Sequence, residues 1–268
     1  MKERLYEFWA RWAARPGLAR LNRGLVRLGL QGLGVFNTQP ELSGEAAFLR
    51  RYLKGLTRPV VLDVGAHSGE YAGLVLEAAP DARLISVEPH PATFARLEQL
   101  ARARGFSAIQ AACGAAAGTA QLSDYADLPQ GSQHASLYAG VFESVWGKTS
   151  TTIDVAVTTV DDLADRQGIE AIDLLKIDTE GAELDVLRGA RGLLAAGRIH
   201  AIQFEFNDTL TVSRVFMRDF REALPGFHLY RLLPHSQLSL EPYHALYSEF
   251  FAYQNIVALP REATEHDA

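Results

Sequence analysis

The sequence predicts an α/β fold built on a parallel, Rossmann-like sheet, and two stretches carry that prediction. In the first, an apolar strand that begins at Val60 runs into a glycine turn, a helix over 70–79 and a second strand over 83–87. In the second, an apolar strand that begins near Ile172 ends in ionisable residues and runs into another helix. Apolar strands that alternate with helices are typical of a buried parallel sheet with helices on both faces.

The turn after the first strand has the features of a nucleotide site. Asp63 lies near the end of the strand, and Gly65 and Gly69 enclose the short turn that follows. Glycine lets the backbone approach a ligand closely because no Cβ stands in the way. Glu88 ends the second strand, 25 residues after Asp63. That spacing is near the one at which a second-strand acid binds the hydroxyls of a ribose.

The charge and spacing of this turn indicate which nucleotide it binds. The turn lacks the G-x-G-x-x-G pattern that surrounds a pyrophosphate, and Asp63 would repel one. A ligand with a ribose, an adenine and an ammonium group fits this pattern better, and S-adenosylmethionine is such a ligand. The alternative is a Rossmann-like turn with structural glycines and no ligand.

Ionisable residues also cluster in the second stretch. Lys176, Asp178 and Glu180 alternate with apolar residues where the central strand ends, and Glu205 and Asn207 end the next strand. Ligands of open α/β sheets bind outside these carboxyl ends. Ionisable groups there are costly unless they are paired or used. A buried ion pair between Lys176 and Asp178, with a structural role only, is the alternative.

Composition limits the compartment and the partners. A chain of 268 residues can form one large α/β domain, with or without a helical extension. Its net charge of -6 does not favour nucleic acid as a partner. The single Cys113 excludes an intramolecular disulfide and a cysteine-based zinc site. A reducing, cytoplasmic compartment fits this cysteine content best. No apolar run is long enough to span a bilayer, and arginines interrupt any apolar core of a signal peptide.

Three segments are predicted along the chain. Residues 1–40 form a basic helical segment and linker, residues 41–260 form the domain, and residues 261–268 form a tail. Within the domain, the polar stretch 123–150 carries His134 and interrupts the regular pattern. Long loops inside compact domains are usually functional or mobile, so we interpret this stretch as a flap that faces the substrate. A disordered surface loop is the alternative.

The N-terminal segment is basic and amphipathic. Residues 1–35 contain seven Lys or Arg and two Glu, and their apolar residues recur at helical spacing. We expect two helices that are broken at Pro16-Gly17. Their apolar stripe is expected to pack on the domain or on a second subunit. The alternative is that the segment lies on an anionic membrane surface, with the protein at the membrane periphery.

Several stretches together resemble the FkbM family of methyltransferases, over roughly residues 43–259. The most specific is LKIDTEGAE at 175–183, which follows the glycine turn in order. The shorter ones are SGE at 43–45, VEP at 87–89, ASL at 135–137, TVDDL at 159–163, QFEFN at 203–207 and YQN at 253–255. The resemblance implies a class I methyltransferase sheet of seven strands with the last strand antiparallel. It also implies O-methylation of a hydroxyl on a small molecule or glycan, such as a sugar, a glycolipid or a polyketide.

S-adenosylmethionine is expected to contact the glycine turn, the ends of the strands on either side of it, and the end of a third strand over 107–112. The residues expected to bind this cofactor are Asp63, Gly65, Ala66, His67, Ser68, Gly69, Tyr71, Glu88, Pro89, Ala112, Cys113 and Asp178. One feature departs from the family pattern. Cys113 is followed by Gly-Ala-Ala, where the family often has a polar pair such as Ser-Asp, so no side chain is available there to hydrogen-bond adenine. A backbone N–H can still bind it.

Methylation of a hydroxyl requires a general base, because a sugar hydroxyl is a weak nucleophile. Asp178 and Glu180 are the first candidates, Glu205 is the next, and His134 of the flap is the last. Asp178 is also a candidate to bind the ammonium group of the cofactor. Clustered carboxylates can hold Mg²⁺, but no spacing demands a metal and none is expected. The rival functions are a nicotinamide-dependent oxidoreductase and a catalytically silent module that docks through its N-terminal helices.

Overall fold

The structure is a computed structural model that describes residues 2–39, 41–128 and 130–261. Its strands are β1 (Val60–Val64), β2 (Arg83–Val87), β3 (Ser107–Ile109), β4 (Ala112–Cys113), β5 (Gly118–Tyr125), β6 (Ser150–Thr158), β7 (Leu174–Ile177), β8 (Ile202–Glu205), β9 (Phe227–Leu232), β10 (Gln237–Ser239) and β11 (Asn255–Pro260). Its α-helices are α1 (Lys2–Ala13), α2 (Ala19–Gly32), α3 (Glu45–Tyr52), α4 (Glu70–Ala78), α5 (Pro91–Arg104), α6 (Val160–Gln167), α7 (Glu183–Arg188), α8 (Arg191–Ala195), α9 (Leu210–Ser213), α10 (Met217–Ala223) and α11 (Ala245–Ser248). Apart from Arg261, the predicted tail lies outside the described residues.

The main sheet confirms the predicted fold class. In the described part of the chain it has eight strands in the order β10-β9-β11-β8-β7-β1-β2-β3. Strands β3, β2, β1, β7 and β8 are parallel to one another. Strand β11 is antiparallel to both β8 and β9. The seven predicted strands are therefore present with the last one antiparallel, and β10 adds an eighth strand at the edge by pairing with β9.

A second, smaller sheet corrects the prediction of one strand over 107–112. The chain leaves the main sheet after Ile109, and β4 pairs with the end of β6 in a three-stranded sheet of order β4-β6-β5. Strands β5 and β6 are antiparallel from Gly118 opposite Val157 to Tyr125 opposite Ser150. The first residues of the predicted flap therefore belong to β5, and the remainder of 123–150 is the connection between two paired strands.

The two faces of the main sheet bury separate sets of apolar side chains. Along β1, Val61 packs with α3 and α4 on one face, and Leu62 and Val64 pack with α6, α7 and α10 on the other. Side chains alternate across a strand, so one apolar strand supplies both layers. This arrangement holds β1 and β7 side by side at the centre, with their carboxyl ends at the same edge.

The N-terminal segment is helical, with the predicted break at Pro16-Gly17, where a short 3-10 turn separates α1 from α2. The apolar stripe was expected to pack on the domain or on a second subunit, and the first of these is wrong, since Leu5, Phe8 and Leu28 are more than 60% exposed. Packing on a second subunit stays a prediction. Neither helix lies on the domain, because Ala13 is the only buried residue of the two. Among the described residues, no helix is long and apolar enough to cross a membrane.

Candidate functional site

A glycine turn wedged between two strands forms the base of the site. Gly65 has φ 81°, and a Cβ there would lie 1.6 Å from the backbone oxygen of Asp178. The backbone N–H groups of Gly65 and Ala66 both donate to the Val87 carbonyl, at 2.9 and 3.0 Å. The turn is therefore fixed from both sides by β2 and by the residue after β7, and no side chain fits at Gly65.

Glu88 is held beside this turn by protein donors. Its Oε2 accepts a hydrogen bond from the His67 backbone N–H at 2.9 Å. Its Oε1 accepts from the His90 backbone N–H at 2.9 Å and from the Thr93 hydroxyl at 2.7 Å. A carboxylate has about four lone-pair positions, so this anchored group can still accept a hydrogen bond from a ligand.

A cleft of about 500 Å³, a volume that includes open solvent at its mouth, lies at the carboxyl ends of β1, β2 and β7. We call residues 65–69, residues 88–89 and Asp178 the floor, and residues 132–138 the roof. Among the residues predicted to bind the cofactor, those that line the cleft are Gly65, His67, Glu88, Pro89, Ala112, Cys113 and Asp178. The cleft is also lined by residues that sequence reasoning did not single out as site residues: Val64, Ala111, Leu122, Ser132, Gln133, Ala135, Leu137 and Thr179.

The remaining predicted cofactor residues lie outside this lining; they are Asp63, Ala66, Ser68, Gly69 and Tyr71. Asp63 is buried below the turn, where its carboxyl accepts a hydrogen bond from Ser86 at 3.1 Å. Burial raises the pKa of Asp63 to about 7, against the opposing effect of Lys176. The buried Tyr71 hydroxyl donates to Gln203 at 2.8 Å. Both side chains therefore support the turn from beneath.

Lys176 forms a buried ion pair with Asp178, as the alternative interpretation of this stretch predicted. Its side chain is 3% exposed, and its Nζ lies 3.0 Å from an oxygen of Asp178 and 4.0 Å from an oxygen of Glu45. Burial favours the neutral amine, but the carboxylates of Asp178, Glu45 and Glu205 outweigh it and raise the pKa of Lys176 well above its usual value. One oxygen of Asp178 is thus committed to Lys176, and the side chain still lines the cleft.

Glu205 lies next to this cluster. Burial raises the pKa of its carboxyl well above the ordinary value, and the charges of Asp178 and Glu180 add to the effect. Its Oε1 accepts a hydrogen bond from the Asn207 amide at 2.6 Å. Among the described residues, no group of three or more His, Cys, Asp or Glu side chains is arranged to hold a metal ion.

His134 of the roof pairs with Glu180. The His134 Nδ1 lies 3.2 Å from Oε1 of Glu180, and the other carboxylate oxygen accepts from Asn207 at 3.0 Å. The Ser136 hydroxyl donates to the Glu180 backbone carbonyl at 2.7 Å. Burial raises the pKa of Glu180, and the hydrogen bond to Glu180 raises the pKa of His134. The pair joins the roof to the end of β7 and orients the imidazole. Of the four candidate bases, Asp178 and Glu180 line the cleft, whereas His134 and Glu205 lie outside its lining.

Glu180 adopts a left-handed backbone conformation, with φ 51°. Such a conformation costs a residue with a Cβ about 1–2 kcal/mol. The surrounding hydrogen bonds hold the loop in this form, since Glu183 accepts from the backbone N–H groups of Thr179 and Gly181 and from the Thr179 hydroxyl. Strained residues of this kind are concentrated at functional sites.

Aromatic rings surround His134. The Trp146 ring centroid lies 4.7 Å from the imidazole centroid, and the Tyr125 centroid lies 6.0 Å from it. The buried Phe142 packs edge-on against Tyr125 at 4.7 Å and against Trp146 at 5.0 Å. Trp146 belongs to a single π-helical turn over Phe142–Trp146. The imidazole therefore projects from a partly exposed aromatic surface, to which the sequence analysis assigned no role.

Comparisons with known proteins identify the family. Residues 63–230 match the family model described as the Methyltransferase FkbM domain. The chain belongs to this family of methyltransferases. It is 31% identical over 190 residues to the 2-O-methyltransferase NoeI of Sinorhizobium fredii, covering 66% of this chain and 75% of that protein. It is 28% identical over 157 residues to the methyltransferase sdnD of Sordaria araneosa, covering 50% of this chain and 61% of that protein.

Among solved structures, the O-methyltransferase from Bacillus cereus in complex with SAH covers 95% of this chain and 96% of its own, with 9% identity and a TM-score of 0.42. This distant similarity carries no argument about substrate or mechanism. Family membership confirms an enzyme that uses S-adenosylmethionine as its methyl donor. The rival interpretations of the sequence, a nicotinamide-dependent oxidoreductase and a catalytically silent module, are therefore wrong.

Proposed function

We propose that this methyltransferase transfers the methyl group to a hydroxyl of a sugar, glycolipid or polyketide-type acceptor, with His134 as the general base. The observation that carries the proposal is the pairing of His134 with Glu180, which lines the cleft. The name of the 2-O-methyltransferase relative, at 31% identity, supports an oxygen acceptor.

The residues of the cleft fit S-adenosylmethionine. Gly65 lines the cleft with backbone atoms alone, and the anchored Glu88 carboxylate can accept hydrogen bonds from ribose hydroxyls. Burial raises the pKa of Cys113 to about 12, so its thiol is neutral and serves as an apolar wall beside Pro89. When bound, the cofactor supplies a sulfonium methyl group that is open to attack. Asp178 is the candidate for its ammonium group, because it is the floor carboxylate with a side chain 37% exposed.

The proton of the acceptor hydroxyl is proposed to go to His134. In the neutral ring, Nδ1–H donates to Glu180, which leaves Nε2 as a proton acceptor. The Glu180 carboxylate then stabilises the imidazolium that forms. Asp178 is a weaker candidate because Lys176 already binds one of its oxygens. Glu205 is weaker because its raised pKa favours the protonated form.

The aromatic surface beside His134 supports a ring-shaped acceptor. Trp146 and Tyr125 are partly exposed next to the imidazole. The C–H face of a sugar ring stacks on aromatic side chains, which would place one of its hydroxyls close to Nε2. Positioning of this kind supplies a large part of the rate of a transfer reaction.

The test combines cofactor binding with the protonation of His134. Titration calorimetry with S-adenosylmethionine comes first, followed by turnover of a panel of sugars, glycolipids and hydroxylated polyketides. His134→Gln should lower kcat by about 10²–10⁴-fold and leave cofactor affinity unchanged. His200→Gln is the matched control, because His200 makes a similar 3.1 Å pair with Asp173 in an exposed position.

The protonation of His134 gives two further readouts, the pH dependence of activity and an NMR titration that needs no acceptor. His134 must be neutral to accept a proton, so activity should rise as pH increases through its raised pKa. Glu180→Gln removes the carboxylate that raises this pKa, so the imidazole titration followed by NMR should move to lower pH. Full activity of His134→Gln, together with loss of activity in Asp178→Asn, would reassign the base to Asp178.

A further inference from the structure

Helices α1 and α2 present an apolar stripe that nothing in the described chain covers. On α1, Leu5, Phe8, Trp9 and Trp12 follow the i, i+3, i+4, i+7 spacing of a single helix face. Their side chains are exposed, with Leu5 at 62% and Phe8 at 63%. The Trp9 and Trp12 rings lie 5.7 Å apart. Large apolar residues that are exposed in one contiguous stripe mark a binding surface.

A second apolar stripe lies on α2. Leu21, Leu25 and Leu28 recur at spacings of four and three, so they lie along one side of the helix. All three are exposed, with Leu28 at 66%. We call the stripes of α1 and α2 together, from Leu5 to Leu28, the N-terminal apolar surface.

Positive charge borders the N-terminal apolar surface. Arg4 and Arg11 lie four residues before and three residues after Phe8, so both flank the stripe of α1. On α2, Arg20, Arg23 and Arg27 share one face. Residues 1–35 contain seven Lys or Arg and two Glu, although the whole chain has a net charge of -6. Residues 1–35 therefore carry a net positive charge, whereas the rest of the chain is net negative.

The end of α2 is fixed to the domain. The Phe36 backbone N–H donates to the Tyr253 carbonyl at 2.8 Å, and the buried Arg231 donates to the Leu33 carbonyl at 3.3 Å. A Cβ on Gly34 would lie 2.6 Å from the Leu232 carbonyl, so the chain passes directly against β9. The helices thus extend from an anchored joint, and their apolar side remains accessible.

We propose that α1 and α2 dock the protein on an anionic lipid bilayer. Apolar residues would enter the interface between headgroups and acyl chains, with the tryptophans at headgroup level, while the flanking arginines would bind lipid phosphates. Each such arginine contributes about fivefold to partitioning onto an anionic surface. A second copy of the chain fits less well, because a twofold pairing of these helices would bring the same arginines together.

Vesicle co-sedimentation of the full chain tests this proposal. We expect binding to vesicles of phosphatidylglycerol and phosphatidylcholine that weakens as salt increases, and little binding to pure phosphatidylcholine. Trp12→Ala with Leu28→Ala should lower partitioning about tenfold or more. Leu246→Ala is the matched control, since Leu246 is 64% exposed on α11, outside this surface.

Replacement of Arg20, Arg23 and Arg27 with Gln should abolish the preference for anionic vesicles and leave the fold intact. Sedimentation velocity of the same variants tests whether a second copy of the chain, rather than a bilayer, covers the N-terminal apolar surface. Absence of vesicle binding, or a wild-type dimer that dissociates in the Trp12→Ala and Leu28→Ala variant, would overturn the proposal. Neither readout depends on methyl transfer, so this inference and the proposed function can fail separately.

Discussion

The floor and the roof of the cleft are held by different kinds of contact. The floor is held by backbone hydrogen bonds from Gly65 and Ala66 to Val87, and by a glycine with no room for a side chain. The roof is joined to β5 by two backbone hydrogen bonds between Ser136 and Ser123. To the end of β7 and to α7 it is joined by side-chain hydrogen bonds, such as those from Ser136 and Tyr138. Each of these contributes about 1 kcal/mol. The floor is therefore part of the fold, whereas the roof can open at modest cost and belongs to the less stable part of the molecule.

The largest expected effect comes from breaking the floor with Gly65→Ala. The new Cβ would lie 1.6 Å from the Asp178 carbonyl, in a backbone conformation that L side chains rarely adopt. We expect a loss of about 5 kcal/mol in the free energy of unfolding, which is exceptional for one substitution, and no detectable binding of S-adenosylmethionine. Urea denaturation and calorimetry measure the two effects.

Gly73→Ala is the matched control for this substitution. Gly73 lies inside α4, and a Cβ there meets nothing within 4 Å. Alanine in a helix interior should stabilise the protein by about 0.5–1 kcal/mol. If Gly65→Ala retained wild-type stability and cofactor affinity, the floor would not be the rigid half of the cleft.

A smaller but still large effect is expected from Lys176→Met, which removes the buried cation below the floor. The substitution leaves the carboxylates of Asp178 and Glu45 without their partner. Breaking a buried pair from one side costs about 3–5 kcal/mol. The exposed Lys54 is the control, and Lys54→Met should change stability by less than about 0.5 kcal/mol. Equal effects of the two substitutions would mean that the pair contributes nothing.

The floor could be predicted from the sequence, whereas the contacts of the roof could not. The turn from Asp63 to Gly69 and the acid at Glu88 lie within one strand–helix–strand unit, so local spacing sufficed to identify the floor. The His134–Glu180 pair joins residues 46 apart. Nothing local to either residue indicates the other, and His134 ranked last among the candidate bases. The short β4 was also missed, because two residues carry no periodicity and their pairing depends on the distant β6.

The smallest expected effect belongs to the roof. The Tyr138 hydroxyl donates to Asp185 at 2.6 Å, so Tyr138→Phe removes one of the hydrogen bonds that hold the roof on α7. We expect a loss of about 1 kcal/mol or less in global stability. Amide hydrogen exchange over residues 132–138 should become faster, while exchange in β1 and β7 stays unchanged, because the roof opens locally.

Tyr247→Phe controls for the loss of a hydroxyl, since Tyr247 is 57% exposed and lies on α11, away from the cleft. If Tyr138→Phe instead destabilised the protein as much as Lys176→Met and raised exchange in β1, the roof would unfold together with the floor. The cleft would then open only through global unfolding, and ligands would have to enter a permanently covered site. Unchanged exchange in both regions would mean that Ser136 and the His134–Glu180 pair, rather than Tyr138, hold the roof closed. Closure of the roof would then be coupled to the proposed base.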